Sequence, residues 1–215
     1  MKALVLSLVA AGFALSAQAQ YLETFSTPSK GYLINLVDDF TGVNWTLSPW
    51  ATAGGLRDTA DYFQTTAPGV LEGIDFDEPI TWESPLLDTS AANPVSLSVA
   101  LTWAGFDTDT MLDPCSDTSL DYIKVQYSVN GGSYTTVPNL EGGAACATVG
   151  YLFGSTPPAN GSTTVAVPGI TGGSTLRVRI IGHFNQNAEV MTIDNVSVPE
   201  VVIVTPVELM QFSVD

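Results

Sequence analysis

The chain of 215 residues carries 22 acidic residues against 6 basic ones and a single histidine, a formal net charge of −16 at pH 7. With no basic stripe to neutralise phosphates, nucleic acid and anionic membrane surfaces are excluded as partners. Hydrophobic residues make up 45% of the sequence, so a packed core is expected.

Met1-Lys2, the apolar run from Ala3 to Leu15 and the small-residue triplet Ala17-Gln18-Ala19 form the pattern of a secretory signal peptide cleaved before Gln20. The apolar run is shorter than the ~20 residues a membrane span needs, and no later run is long and apolar enough to insert. The expected product is secreted, extracellular or at the cell surface, and residues 20–199 suit one large β-domain. In that oxidising setting Cys115 and Cys146 are expected to pair, which the chain-entropy model values at about 3 to 4 kcal/mol. The alternative is two free buried thiols. Two cysteines and one histidine cannot complete a closed zinc shell.

In chain order, Tyr21 to Phe25 forms a short first strand, followed by a turn-rich stretch and a loose region holding Gly42, Trp45, Pro49 and Trp50. Short strands follow at Tyr62 to Thr65, Val70 to Ile74 and Ile80 to Ser84, the last two joined by an acidic turn through Asp75, Asp77, Glu78 and Pro79. Beyond Pro94, Leu97, Val99, Leu101 and Trp103 fall on one face of a strand. Ile123, Val125, Tyr127 and Val129 then alternate with Lys124, Gln126 and Ser128 before Asn130-Gly131-Gly132, residues that tolerate positive φ, and the β-formers resume at Tyr134. That is a hairpin with one face buried. Thr163 to Val167, Leu176 to Phe184 and Val190 to Val198 complete the strands. No helical period persists and Gly or Pro punctuates the chain throughout, so the fold class is all-β, a two-sheet antiparallel β-sandwich.

From Asp58 to Asp121 the chain carries thirteen acidic residues and no lysine or arginine. Local ion pairs cannot satisfy them. They are either spread in solvent or gathered around a cation, and calcium, with its oxygen-only coordination, suits such a set.

Four stretches together carry a resemblance: E-T-F at Glu23, L-E-G-x-D-x-D-x-x-x-x-W-E-S from Leu71 to Ser84, D-Y-I-x-V-x-Y-S-x-N-G-G from Asp121 to Gly132, and I-D-N-V-S-V from Ile193 to Val198. Their order resembles jelly-roll modules of type IX-secreted surface proteins, which are similar in fold to MAM domains and to galactose-binding-type carbohydrate-binding modules. The resemblance implies a jelly roll and a structural calcium tying an acid on the first strand, Glu23, to one on the last, Asp194, with Asp61 or Asp77 as a third ligand. It also implies that residues 200–215, with P-V-E-L-M-Q-F from Pro206 to Phe212, form a linker or the start of a following domain.

Sugar-binding jelly rolls use an open sheet face with an aromatic platform and forked donors. Tyr122, Lys124 and Gln126 alternate outward from the hairpin strand, and Arg177, Arg179 and His183 outward from Leu176 to His183. If these strands are neighbours, Tyr122, Lys124, Arg177 and Arg179 form the candidate ligand face, for a glycan or a cell-surface protein; the plainer account is cross-strand pairing with acids. The catalytic alternative is a carbohydrate-active enzyme using the carboxylates of Glu72, Asp75, Asp77 and Glu78. His183 has no G-x-S-x-G elbow to accompany it, so nothing points to a serine hydrolase. The leading expectation is a non-catalytic, calcium-stabilised binding or adhesion module.

Overall fold

The computed structural model describes residues 20–48, 58–105, 122–137, 160–184 and 189–199. Cys115, Cys146, Trp50, residues 1–19 and residues 200–215 lie outside these residues, as do the side chains of Asp77, Tyr122 and His183.

The described strands run from β1 (Tyr21–Glu23), β2 (Gly31–Leu33), β3 (Val37–Asp39) and β4 (Thr46–Leu47) to β5 (Tyr62–Thr66), β6 (Val70–Ile74), β7 (Phe76–Glu83) and β8 (Leu87–Asp88). They continue through β9 (Val95–Ala104), β10 (Tyr122–Val129), β11 (Thr135–Thr136), β12 (Gly161–Ile170), β13 (Thr175–Phe184) and β14 (Val190–Val198). One sheet has the order β12-β9-β14-β6-β5-β2-β3, with β1 also on β14; the other has β11-β10-β13-β7-β4, with β8 also on β13. All pairings are antiparallel. From β9 onward the long strands alternate between sheets, β9, β12 and β14 in the first and β10 and β13 in the second. That winding makes the sandwich a jelly roll.

Strand periodicity explains the two layers. In β9, Val95, Leu97, Val99, Leu101 and Trp103 are buried while the residues between them face outward. Ile123 and Val125 of β10 and Leu176, Val178 and Ile180 of β13 supply the opposing layer. Both layers belong to one buried cluster. An aromatic group closes it at one end, where Phe25 meets Trp82 edge-on at 5.8 Å and Trp45 at 6.1 Å, and Phe40 bridges Trp45 and Tyr32. Such edge-to-face pairs add roughly 0.5–1.5 kcal/mol each beyond the area they bury. Trp45 and Trp82 are therefore core residues.

Two local features differ from the expectation. The acidic stretch after Ile74 is no turn. Asp75, at φ 50°, is a one-residue pivot from which the chain leaves β6 in the first sheet and starts β7 in the second. The second is in β14, where the register to β9 slips by one residue between Asp194 and Ser197 and Asn195 takes φ 48°. This bulge lets Ile193 and Val196 both face the core although they are three residues apart. The hairpin turn is as expected, with Asn130 and Gly131 both at positive φ.

Candidate ligand-binding face

The register of the second sheet lays out its outer surface. Arg179 of β13 is flanked by Gln126 of β10 on one side and Glu83 of β7 on the other, and Arg177 lies opposite Ser128. Lys124 sits one pair further along, opposite Ile181. Directly opposed residues share a face, so Lys124, Arg177 and Arg179 lie on the same side of the sheet.

Their side chains form a connected group. Arg179 Nε donates to Gln126 Oε1 at 2.5 Å, and Gln126 Nε2 donates to Thr136 Oγ1 at 2.7 Å. The guanidinium of Arg179 lies 3.6 Å from the centroid of the Tyr134 ring. The Tyr134 hydroxyl donates to Glu83 Oε2 at 2.6 Å, and Arg177 Nη1 donates to Glu83 Oε1 at 2.9 Å. Glu83 thus fixes Tyr134 with one oxygen and Arg177 with the other.

Electrostatics follow the geometry. Burial and then the bond to Glu83 push the Tyr134 phenol up to about 12. The Lys124 ammonium is held below its ordinary value, first by burial and then by the neighbouring Arg179 charge. Arg177 is bound to a carboxylate, yet its Nε is shielded from solvent with no hydrogen-bond partner.

Beside this group a groove of about 430 Å³ is lined by Leu86, Ser128, Gly131, Gly132, Tyr134 and Arg177, among others. Leu86 is 52% exposed at its edge. Among the described residues, Ser128, Gly131 and Gly132 line it together with Tyr134 and Leu86.

Of the residues that alternation singled out, Lys124, Arg177 and Arg179 come together. Tyr122 pairs in register with His183, four residues along β10 from the Gln126–Arg179 pair, so it does not mark the end where the groove lies. The aromatic at the groove is Tyr134, which strand alternation did not reveal because β11 has only two residues. Folding the hairpin back across its turn would have found it, since Tyr127 opposes Thr135 and Tyr134 therefore follows level with Ser128. The pairing of Arg177 with Glu83 is the cross-strand acid pairing considered above.

Of the acids expected around calcium, Glu23 and Asp194 lie on opposite sides of the first sheet. Glu23 opposes Val196, a core residue, and so points to the inner side of the first sheet. Asp194 opposes Ala100 on the outer side, where its carboxylate accepts from Asn195 Nδ2 at 2.6 Å. The bulge that follows Asp194 is the reason: in a regular strand Asp194 and Val196, two residues apart, would share a face. Asp61, 2% exposed, accepts the Asp58 N–H and precedes Tyr62, which is level with Ile74 and Val190 toward the other end of β14. Asp77 belongs to β7 of the second sheet. Among the described residues no group of three or more His, Cys, Asp or Glu side chains is placed to hold a metal.

Glu23 does line a cleft of about 300 Å³ with Thr27, Asn44, Trp45 and Thr65. Burial raises its pKa, opposed by the N–H groups of Phe25 and Thr24. The Glu23 carboxylate accepts the Phe25 N–H at 2.8 Å, and Asn44, Thr27 and Thr65 line the same cleft.

Of the carboxylates proposed for hydrolysis, Glu72 and Asp75 are separated. Glu72 accepts the Tyr62 hydroxyl at 2.7 Å on the outer side of the first sheet, whereas Asp75 is the buried pivot between the sheets.

No family model matches the chain, and no curated protein matches it either. Among solved structures it is similar to the K3 adhesin domain of Lys-gingipain from Porphyromonas gingivalis W83, at 11% identity and a TM-score of 0.43, covering 84% of this chain and 99% of that one. It is also similar to the module TmCBM61 in complex with β-1,4-galactotriose, at 15% identity and a TM-score of 0.37 over 80% of this chain and 100% of that one. A third is the CBM22-1 xylan-binding domain of Paenibacillus barcinonensis Xyn10C, at 10% identity and a TM-score of 0.36 over 87% and 98%. At these values the fold rests on the strand order and register given above.

Proposed function

We propose that this chain is a secreted, non-catalytic jelly-roll module that binds a glycan on the outer face of its second sheet, within an adhesive or polymer-capturing system. The observation that carries the reading is the Tyr134–Arg179 pair. Its ring and guanidinium are already stacked and are braced from both sides by Gln126 and Glu83, next to an open groove. Arg179 covers one face of the ring; the opposite face suits the C–H face of a pyranose, and the arginines nearby suit its hydroxyls as donors. Because the donors are held before a ligand arrives, little side-chain entropy is lost on binding.

Calcium belongs to this proposal as a stabilising ion at the Glu23 cleft, where the carboxylate and neighbouring amide and hydroxyl oxygens suit a hard cation. Export by a type IX route and a MAM-like relationship rest on the sequence resemblance alone. A glycan array probed with the whole chain, with and without calcium, tests the reading: binding to a defined set of glycans supports it. Reducing-sugar release from a polysaccharide panel would point instead to a carbohydrate-active enzyme.

A further inference from the structure

We infer that the glycan taken by this face is acidic, a polysaccharide of uronic acids whose carboxylate is received by Arg179 beside Lys124 and Arg177. The inference rests on the glycan-binding reading and names the substrate class of the same site.

The argument is one of charge placement. The sequence holds only six basic residues, and three of them converge on adjacent strands of one face of a protein with net charge −16. Were the two arginines both simply neutralising local acids, each would have its own carboxylate. Arg177 has Glu83. Among the described residues Arg179 has none: its Nε is held by Gln126 and its plane by Tyr134, which leaves the two Nη groups uncommitted. Like charges on neighbouring strands repel, and after burial the Arg179 charge is the second cause that lowers the Lys124 ammonium. The guanidinium fork presents parallel donors that match a planar carboxylate better than a point charge would. The Tyr134 ring lies against the same guanidinium and fixes its plane, so the fork is held in one orientation toward an incoming carboxylate.

The charge balance also argues against capture of polyanions in general. Glu83 stands on the same face and the chain as a whole is strongly acidic, so a ligand with unplaced charges is repelled overall.

The test compares two forms of one polymer, using the whole chain and isothermal titration calorimetry. De-esterified polygalacturonate carries the carboxylates; the fully methyl-esterified form keeps the same backbone without charge. Alginate, dextran sulfate and an uncharged β-glucan complete the panel. The expected result is binding to polygalacturonate or alginate, at least tenfold weaker binding to the methyl ester, and weakening as NaCl is raised. Arg179→Gln should lower uronate affinity at least tenfold, with a melting curve to confirm folding. Equal affinity for the acid and its methyl ester would overturn the inference while leaving glycan binding intact, as would preference for the uncharged β-glucan. Equal affinity for dextran sulfate would overturn it in favour of unselective charge attraction. Failure to bind any glycan, on this panel or on the array, would remove the parent reading as well. The ester comparison needs no variant, so a misfolded Arg179→Gln would not leave the question undecided.

Discussion

The guanidinium of Arg179 lies 3.6 Å from the centroid of the Tyr134 ring, and the two residues reach that position from different strands by different routes. Arg179 comes from the middle of β13, fixed by ladder pairing to β10 and β7. Tyr134 comes from just beyond the Asn130-Gly131-Gly132 turn, where positive φ at Asn130 and Gly131 folds the chain back over the sheet. The platform is therefore a product of the hairpin.

Tyr134 gives the first prediction. Its phenol is pushed from 10.0 to about 12 in the folded state, so the folded form keeps a proton that the unfolded form loses first. The resulting stabilisation is fully present below pH 10 and is lost as pH rises from 10 toward 12. Tyr134→Phe removes the titrating group. Denaturant melts across that window should show a shallower decline for the variant than for the parent, and a cost of about 1 kcal/mol or less near neutral pH from the lost bond to Glu83. Parallel pH profiles would contradict the bond.

Gly161 gives the second. It opposes Trp103 across the β12–β9 pair, and a Cβ built on it would overlap the indole ring. Gly161→Ala must displace a buried tryptophan or bend an edge strand. The expected cost is about 1–3 kcal/mol, read as a lower Tm in calorimetry. An unchanged Tm would mean that the ring moves freely.

The third separates two versions of the calcium proposal. If the ion is held at the Glu23 cleft, calcium should raise the Tm relative to chelator-treated protein, by up to about 2.7 kcal/mol of stabilisation at a hundredfold excess over Kd. Glu23→Gln should abolish the shift and Asp194→Asn should leave it intact, because the two carboxylates lie on opposite sides of the sheet. Loss of the shift in both variants would instead restore the pair expected from the sequence. No shift in the parent would remove calcium altogether.

Why the acid pair falls on opposite sides of its sheet while the basic trio shares one face is a matter of phase. Over an unbroken strand the side-chain period of two is reliable, so Lys124 on β10 and Arg177 and Arg179 on β13 could be assigned to a face from sequence. Once those strands pair, the trio follows. In β14 the same count fails at Asn195, where one extra residue shifts every later side chain relative to Asp194. Nothing in I-D-N-V-S-V announces that bulge, because Asn is equally at home in a plain strand end. The short strands β2, β3, β4 and β8 have two or three residues each and leave no periodic trace. Tyr134 was hidden for a similar reason, sitting outside any run long enough to alternate. The Asp75 pivot looked like a turn because acids and a proline cluster there, whereas the chain only changes sheets.

The most direct test of the central claim is calorimetric titration of a glycan that binds the parent chain, repeated with Tyr134→Ala. The variant should keep the sandwich and lose at least tenfold in affinity, about 1.4 kcal/mol, because both the stacking face and the brace on Arg179 are gone. A Tyr134→Ala protein that folds and binds that glycan as tightly as the parent would place the ligand elsewhere on the molecule and contradict the account.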